Sequence, residues 1–309
     1  MTLARVQPDL GVLFEGIDAE LVPDFPLAPW ISVRVGGPAE LFAKPRSPAA
    51  LVELLRRASL EQVPLTVLGG GANTLVGDGG VPGVTLKLPS ALFPEEVEPS
   101  DGGARITLGA GAAISRLIVL MKQHALVGAE FLAGIPGTVG GAATMNAGTK
   151  HGECMSAVEA VELATSEGLG WVPRGALEVR YRHGGLPEKG VVTRVRFLLK
   201  KGDVAASKVA MDADLGYRKR TQPLATPNFG SVFTNPPGDH AGRLIEAAGL
   251  KGHTVGRAQI SPLHANWIVN LGGARAADVT ALMALMQARV REATGVDLHP
   301  EVKRVGIFE

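Results

Sequence analysis

Glycine recurs at positions 134, 137, 140, 141 and 148 of the stretch Glu130–Glu153, EFLAGIPGTVGGAATMNAGTKHGE, which shows neither a heptad nor a clean strand alternation. A segment of this kind folds as a loop whose backbone turns sharply and approaches another group with no Cβ atoms between. Pro136 adds a fixed turn and Asn146 an amide donor. A second cluster, Gly69-Gly70-Gly71-Ala72-Asn73-Thr74, follows directly on the apolar run Pro64–Leu68. Either cluster alone reads as a structural turn. Two such loops, each beside a strand-like run, point to a large phosphorylated cofactor gripped at two places, with backbone N–H groups turned toward its pyrophosphate.

The chain has 309 residues, enough for two or three compact units. Its 31 basic and 30 acidic residues imply no net attraction to nucleic acid or to an anionic membrane. Cys154 is the one cysteine, which excludes an intrachain disulfide and any multi-cysteine metal site and fits a reducing cytoplasm. The first residues carry acids where a signal peptide needs an unbroken apolar core. No apolar run approaches the roughly 20 residues that span a bilayer.

Residues 1–28 are punctuated by prolines and read as an N-terminal extension. Ser47-Pro48 is a helix start, and Leu51, Leu54 and Leu55 give the helix to about Ala58 one apolar face. Pro64–Leu68 and Val84–Leu88 read as strands, so 30–90 is expected to be a small β-α-β-β unit. Arg105–Leu108 is a strand ending in Gly109-Ala-Gly111, and Ile114–His124 an amphipathic helix. Val158–Ala164, Ala176–Tyr181 and Val191–Leu199 alternate as strands, making 91–200 a second, strand-rich unit. Lys200-Lys201-Gly202-Asp203 breaks the pattern. Beyond it come a helix over Val204–Lys219, a proline-framed loop around Gly230-Ser231, a short helix over Ala241–Ala248, a strand over Ala265–Asn270, and a helix over Ala277–Ala293 stopped by Gly295.

Several chemistries lack their residues. There is no phosphate loop of the G-x-x-x-x-G-K-[ST] type, no H-E-x-x-H, no calcium loop and no metal-ligand spacing among the seven histidines. Ser231 has no second glycine to make a nucleophile elbow, and Gly109-x-Gly111 lacks the third glycine of a dinucleotide fingerprint. Three polar islands remain: Tyr181-Arg182, Asn228–Pro236 around Ser231, and His299-Pro300-Glu301. Each alone reads as a strand end, a turn or a surface position.

Taken in order, these islands and the glycine loops resemble the UDP-N-acetylenolpyruvoylglucosamine reductases. The resemblance runs from about Trp30 to Val305. It rests on Ser32-Val-Arg34-Val-Gly36-Gly37-Pro38-Ala39, Gly69–Leu75, Gly134–Gly141, Met145-Asn146-Ala147-Gly148, Tyr181-Arg182, Gly230–Pro236, Leu250-Lys-Gly252 and Pro300-Glu301-Val302. It implies an α+β fold: an FAD-binding module of two subdomains, of the vanillyl-alcohol-oxidase type, and a C-terminal α+β substrate-binding domain. The expected division is subdomain 1 at 29–90, subdomain 2 at 91–200 and the substrate domain at 201–298, with 299–309 returning to subdomain 1. The implied reaction is reduction of UDP-N-acetylglucosamine enolpyruvate to UDP-N-acetylmuramate, for peptidoglycan precursors, with NADPH as hydride donor, non-covalent FAD as cofactor and no metal. No obligate protein partner is evident, and the implied setting is the cytoplasm.

The resemblance assigns Ser231, Glu301 and Arg182 to catalysis. Arg34, Gly69 through Thr74, Gly134, Ile135, Pro136, Gly137, Gly140, Gly141, Asn146, Ala147 and Gly148 are expected at the cofactor. Tyr181 and Asn235, with the basic run Arg218-Lys219-Arg220, are expected at the substrate. The chain departs from the family twice: Gly184 stands where Tyr-Arg-x-Ser has its serine, and Thr234 where a lysine precedes Asn-Pro. The short span from Lys200 to Gly230 places it in the subgroup without an inserted tyrosine loop. The residue types suit the chemistry. Charge arriving at C2 of an enolpyruvyl ether spreads into the neighbouring carboxylate, which the two-pronged fork of Arg182 can hold. Ser231, flanked by glycine, can bring an O–H to C2. Glu301 can help when protonated, or by ordering Arg182 or a water. His264, Cys154 and Trp267 read as structural. Two alternatives stand beside this reading: another oxidase built on the same FAD module, which often attaches its flavin through His or Cys, and a non-catalytic nucleotide-binding module.

Overall fold

The computed structural model describes residues 9–187 and 189–308. Its first part runs α1 (Leu10–Leu13), β1 (Ala19–Pro26), β2 (Pro38–Pro45), α2 (Pro48–Leu60), β3 (Leu65–Val67), β4 (Thr74–Val76) and β5 (Val81–Leu86). Ser47 caps α2 through its side chain, with Pro48 at the first helical position, as that dipeptide dictates. β1, β2, β5 and β3 form one sheet in that order, with β1 antiparallel to β2 and the other pairs parallel. Residues 1–8 lie outside the described residues. Residues 9–26, expected as part of an extension, are instead built into the sheet: β1 pairs with β2 from Ala19↔Pro45 to Pro26↔Pro38, and Phe14 is fully buried. Pro23 and Pro26 are tolerated because β1 is an edge strand.

The second part holds β6 (Glu96–Ser100), β7 (Gly103–Gly109), α3 (Ile114–Gln123), β8 (Leu126–Val127), α4 (Val139–Thr144), β9 (Gly148–Thr149), β10 (Gly152–Glu153), β11 (Val158–Thr165), β12 (Gly168–Pro173) and β13 (Val191–Lys201). An antiparallel sheet runs β12-β11-β13-β7-β6, with β8 added beside the end of β13. The strand expected over Ala176–Tyr181 is absent. Arg174–Ala176 is one 3-10 turn, and Arg180 and His183 bridge across a tight turn whose Arg182 has φ 59°. The alternating pattern there belongs to a loop, which pairs with no strand among the described residues.

The last part comprises α5 (Val204–Thr221), β14 (Asn228–Ser231), α6 (Ala241–Ala247), β15 (Thr254–Val255), β16 (Ala258–Ile260), β17 (Trp267–Asn270), α7 (Ala276–Thr294) and β18 (Lys303–Val305). β14-β17-β16-β15 is an antiparallel sheet against which α6 and α7 pack. β18 pairs in parallel with β4, the strand that opens at Thr74 of the first glycine cluster. Two cores result. Leu41, Ala43, Val84 and Leu86 from one face of the first sheet join the core of the second part. Ala39, Phe42 and Val81 join the core that includes Phe229, Leu244 and Met286. The first sheet is therefore the shared wall between the two.

Candidate active site

A cleft of about 1870 Å³ is lined by both glycine clusters, by the loop that leads through Gly190 into β13, and by β14, β17 and the segment before β18. A pocket for one drug-sized ligand is typically about 300–1,000 Å³, so this one has room for two extended ligands. Arg34, Gly69 through Thr74, Gly134, Ile135, Pro136, Gly137, Gly140, Gly141, Ala147 and Gly148 all line it, as do Arg182, Arg218, Ser231 and Glu301.

The two glycine loops lean on each other. A Cβ on Gly70 would stand 2.6 Å from Cα of Gly137 and 3.4 Å from the nitrogen of Thr138. Gly137 itself has φ 115°, a backbone that side chains rarely accept. Part of the glycine content therefore serves loop against loop, where the sequence suggested loop against ligand alone. Gly141, in the first turn of α4, differs: a Cβ there would meet only Thr138 Oγ1, at 3.4 Å.

The opposite wall carries Ser231, Glu301 and Arg182. Ser231 ends β14 at a bulge opposite Trp267, after Gly230 with φ 81°. Such a bulge re-aims a side chain out of the ladder. Glu301 lies beside it, because its N–H donates to the carbonyl of Val232 at 2.8 Å and Phe233 bridges to Pro300. Asn266 fixes the turn, accepting from the N–H of Phe233 at 3.0 Å and donating to that residue's carbonyl at 2.8 Å. Arg182 reaches across so that its Nε lies 2.9 Å from Oε1 of Glu301, without the alignment of a hydrogen bond. Both side chains are mostly buried, at 20% and 16% exposed. Burial raises the Glu301 carboxyl above its ordinary range, against the opposing pull of Arg182. The guanidinium of Arg182 also lies over the Tyr181 ring, 4.7 Å from its centre. The left-handed φ values of Arg182 (59°) and Arg34 (57°) mark two strained positions facing the same cleft.

The first glycine loop touches this wall directly. Asn73 donates through Nδ2 to the carbonyl of Glu301 at 3.0 Å and accepts at its own carbonyl from the N–H of Lys303. The residue that follows the cofactor-side glycines thus holds the backbone of the acidic residue.

Five of the residues expected at the site stand elsewhere. Asn146 is buried behind the loop, donating to Glu153 and to the carbonyl of Arg180 and accepting from the N–H of Met155. Its φ of 44° and its amide build the turn that presents Ala147 and Gly148. Tyr181 is 51% exposed and supports Arg182 from outside the cleft. Lys219 and Arg220 are exposed on the far face of α5, since neighbours on a helix cannot share the face of Arg218. Asn235 accepts from the N–H of Ala241 at 3.1 Å and so caps the start of α6. Gly184 also finds its reason: a Cβ there would stand 2.0 Å from the carbonyl oxygen of Ala143, so no serine fits this backbone.

Other lining residues carry no sequence signature. Lys87 and Arg218 are partly buried cations with no carboxylate of the described residues within 4 Å, and burial lowers the pKa of each. Arg218 donates through Nε to Gln222, while one terminal nitrogen is buried without an acceptor beside Gly134. Lys150 lies over the Tyr217 ring and His151 meets Asp214 at 3.2 Å, linking the β9–β10 hairpin to α5 at the rim. Trp267, read as structural, lines the cleft, whereas Cys154 is fully buried and its thiol is pushed up to about 12 by burial.

A glycine cradle sized for a dinucleotide, facing a wall with a buried carboxyl, an arginine and a hydroxyl, defines a flavin-dependent oxidoreductase. The sequence profile described as "FAD binding domain" matches residues 39–172. That of the "UDP-N-acetylenolpyruvoylglucosamine reductase, C-terminal domain" matches 222–305. Over 311 residues and the whole of both chains, the sequence is 69% identical to UDP-N-acetylenolpyruvoylglucosamine reductase of Myxococcus xanthus. It is 56% identical to that of an Anaeromyxobacter species, covering 94% of this chain and 91% of the relative. The crystal structure of the Thermus caldophilus enzyme superposes with a TM-score of 0.79 at 37% identity, covering 93% of this chain and 99% of that one. The chain belongs to the UDP-N-acetylenolpyruvoylglucosamine reductase family.

Proposed function

We propose that the chain reduces the enolpyruvyl group of UDP-N-acetylglucosamine enolpyruvate to give UDP-N-acetylmuramate, with Ser231 as proton donor and Arg182 and Glu301 as the groups that hold the developing charge. The observation that carries the assignment is the convergence of Ser231, Glu301 and Arg182 on one wall, facing the two glycine loops across a single cleft. Bound FAD supplies the hydride chemistry, drawing on NADPH. The residues present fit it: the open face of Gly141, the cleft volume, and the Lys87 ammonium at the head of the first glycine loop.

Within that frame the protein's own groups divide the work. Arg182 offers its outer nitrogens to the substrate carboxylate, where charge collects as C2 becomes carbanionic. Glu301, its carboxyl raised by burial, limits how far Arg182 swings and adds a neutral O–H whenever it is protonated. Ser231 delivers its proton to C2, and the resulting alkoxide is reprotonated from solvent in the open cleft. Arg218, partly buried with one terminal nitrogen left without an acceptor, takes the diphosphate of the sugar nucleotide. The order of the chain divides accordingly into a cofactor module that takes in β1 and runs to about residue 200, a substrate domain at 201–298 and a tail from 299 that returns to β4. Among the described residues no helix is long and apolar enough to cross a membrane. The reading sets the enzyme in the cytoplasm, acting on free sugar nucleotide with no protein partner required.

Stopped-flow absorbance of the flavin tests the assignment. Ser231→Ala should leave reduction by NADPH nearly unchanged and slow reoxidation by the enolpyruvyl substrate by about 10²–10⁴-fold. Equal slowing of both half-reactions, or of neither, would remove Ser231 from the chemistry.

A further inference from the structure

Lys87 directly follows β5, and its ammonium donates to the carbonyl of Gly69 at 2.6 Å, at the head of the first glycine loop. It also stands 5.4 Å from the centre of the Trp30 ring. Its neighbour Lys44, 5.0 Å from the same ring, has its charge met by Glu20 at 3.3 Å. Lys87 has no such partner: none of the carboxylates among the described residues comes within 4 Å, and the charge it feels is the like charge of Lys44. Burial and Lys44 together push its ammonium below the usual lysine range. One carbonyl and one indole face offset only part of the cost of holding a cation there. The group lines the cleft beside Gly69–Thr74, which line the same space.

We propose that Lys87 is an anion-holding residue of the cofactor site, pairing with the diphosphate bridge of the dinucleotide that lies along Gly69–Thr74. The proposal rests on the reading of that loop as the FAD cradle. It separates Lys87 and Arg218 by ligand: Lys87 serves the cofactor from the Gly69 side, and Arg218 serves the substrate from α5. The competing role is a clamp, in which Lys87 only ties Gly69 to the end of β5.

The test uses the full-length protein as Lys87→Met, which keeps the stem over Trp30 and removes the charge, and as Lys87→Arg. FAD and riboflavin affinities are measured by flavin fluorescence on protein stripped of and reloaded with each. Riboflavin has the isoalloxazine and ribityl groups but no phosphate. Lys87→Met should weaken FAD about 10- to 100-fold, as loss of a charge-assisted hydrogen bond does, and leave riboflavin unchanged. Lys87→Arg should restore most of the FAD affinity, and salt should weaken FAD less in Lys87→Met than in the parent. Unchanged FAD affinity in Lys87→Met would overturn the proposal, and so would equal loss of FAD and riboflavin, which the clamp predicts. A parent protein that binds no flavin would overturn the proposal together with the cofactor reading on which it rests.

Discussion

Gly70→Ala is the smallest change that separates the two uses of glycine at this site. The added Cβ would stand 2.6 Å from Cα of Gly137, 3.2 Å from its carbonyl carbon and 3.4 Å from the nitrogen of Thr138. All three are backbone atoms, so no rotamer change relieves the contact. Ordinary van der Waals distance is reached only when the loops part by at least about 0.8 Å, an overpacking that costs about 1–3 kcal/mol. In a protein of this size that corresponds to a fall in Tm of roughly 2–6 °C. The same displacement spreads the two rows of backbone N–H groups, so flavin content should fall with it. Gly141→Ala is the counterpart. Its methyl meets only Thr138 Oγ1, and alanine in place of glycine in α4 favours the helix by about 0.5–1 kcal/mol. This variant should melt at or above the parent's temperature while retaining less flavin, because the methyl occupies cofactor space. Thermal unfolding of the stripped proteins, with absorbance at 450 nm of the protein as purified, reads both quantities. A Gly70→Ala protein with the parent's Tm and full flavin would show that the loops carry slack, and the contact argument would fall.

Glu301→Gln tests the buried carboxyl. A folded-state pKa raised above the unfolded value favours folding below the unfolded pKa, and the benefit is lost as pH rises through the folded value. The parent should therefore gain stability relative to Glu301→Gln as pH is lowered from about 8 toward the ordinary carboxyl value near 4.3, read as a difference in Tm across that range. A constant difference would mean that burial does not govern this group. Arg218→Met removes a partly buried cation whose desolvation outweighs the pull of Asp214, so Tm should hold or rise while KM for the enolpyruvyl substrate rises about tenfold or more. A lower Tm with unchanged KM would reassign Arg218 to structure.

What the sequence discloses is backbone chemistry. The glycine clusters, the Ser47-Pro48 start of α2 and the Gly295 stop of α7 announce themselves, because only certain residues adopt those conformations. Ser231, Arg182 and Glu301 emerge through resemblance; each is bland alone, and they meet only because the tail beyond α7 runs beside Val232. Asn146 and Asn235 show the limit of that route, since a motif marks a residue that the fold needs without saying whether it faces ligand or neighbouring backbone. The strand expected at Ala176–Tyr181 has the right alternation but pairs with no strand among the described residues. Residues 9–26 mislead in the other direction, because prolines that suggest an extension are compatible with an edge strand. Lys87 and Arg218 are invisible as site residues: a lysine after a strand and an arginine on an exposed helix are ordinary until their place in the cleft shows how much of each is desolvated.

The pairing of β18 with β4 carries a consequence for how such a chain comes into being. The strand that pairs with β4 and the Glu301 carbonyl that Asn73 holds come much later in the chain, Asn73 and Glu301 being 228 residues apart. During synthesis the first glycine loop therefore waits, with one side of its strand open, until that later segment has been made. A message cut short anywhere before Glu301 yields a product that lacks both the acidic residue and the brace of that loop. A chain thus gains the brace on its first glycine loop at the same moment that it gains Glu301.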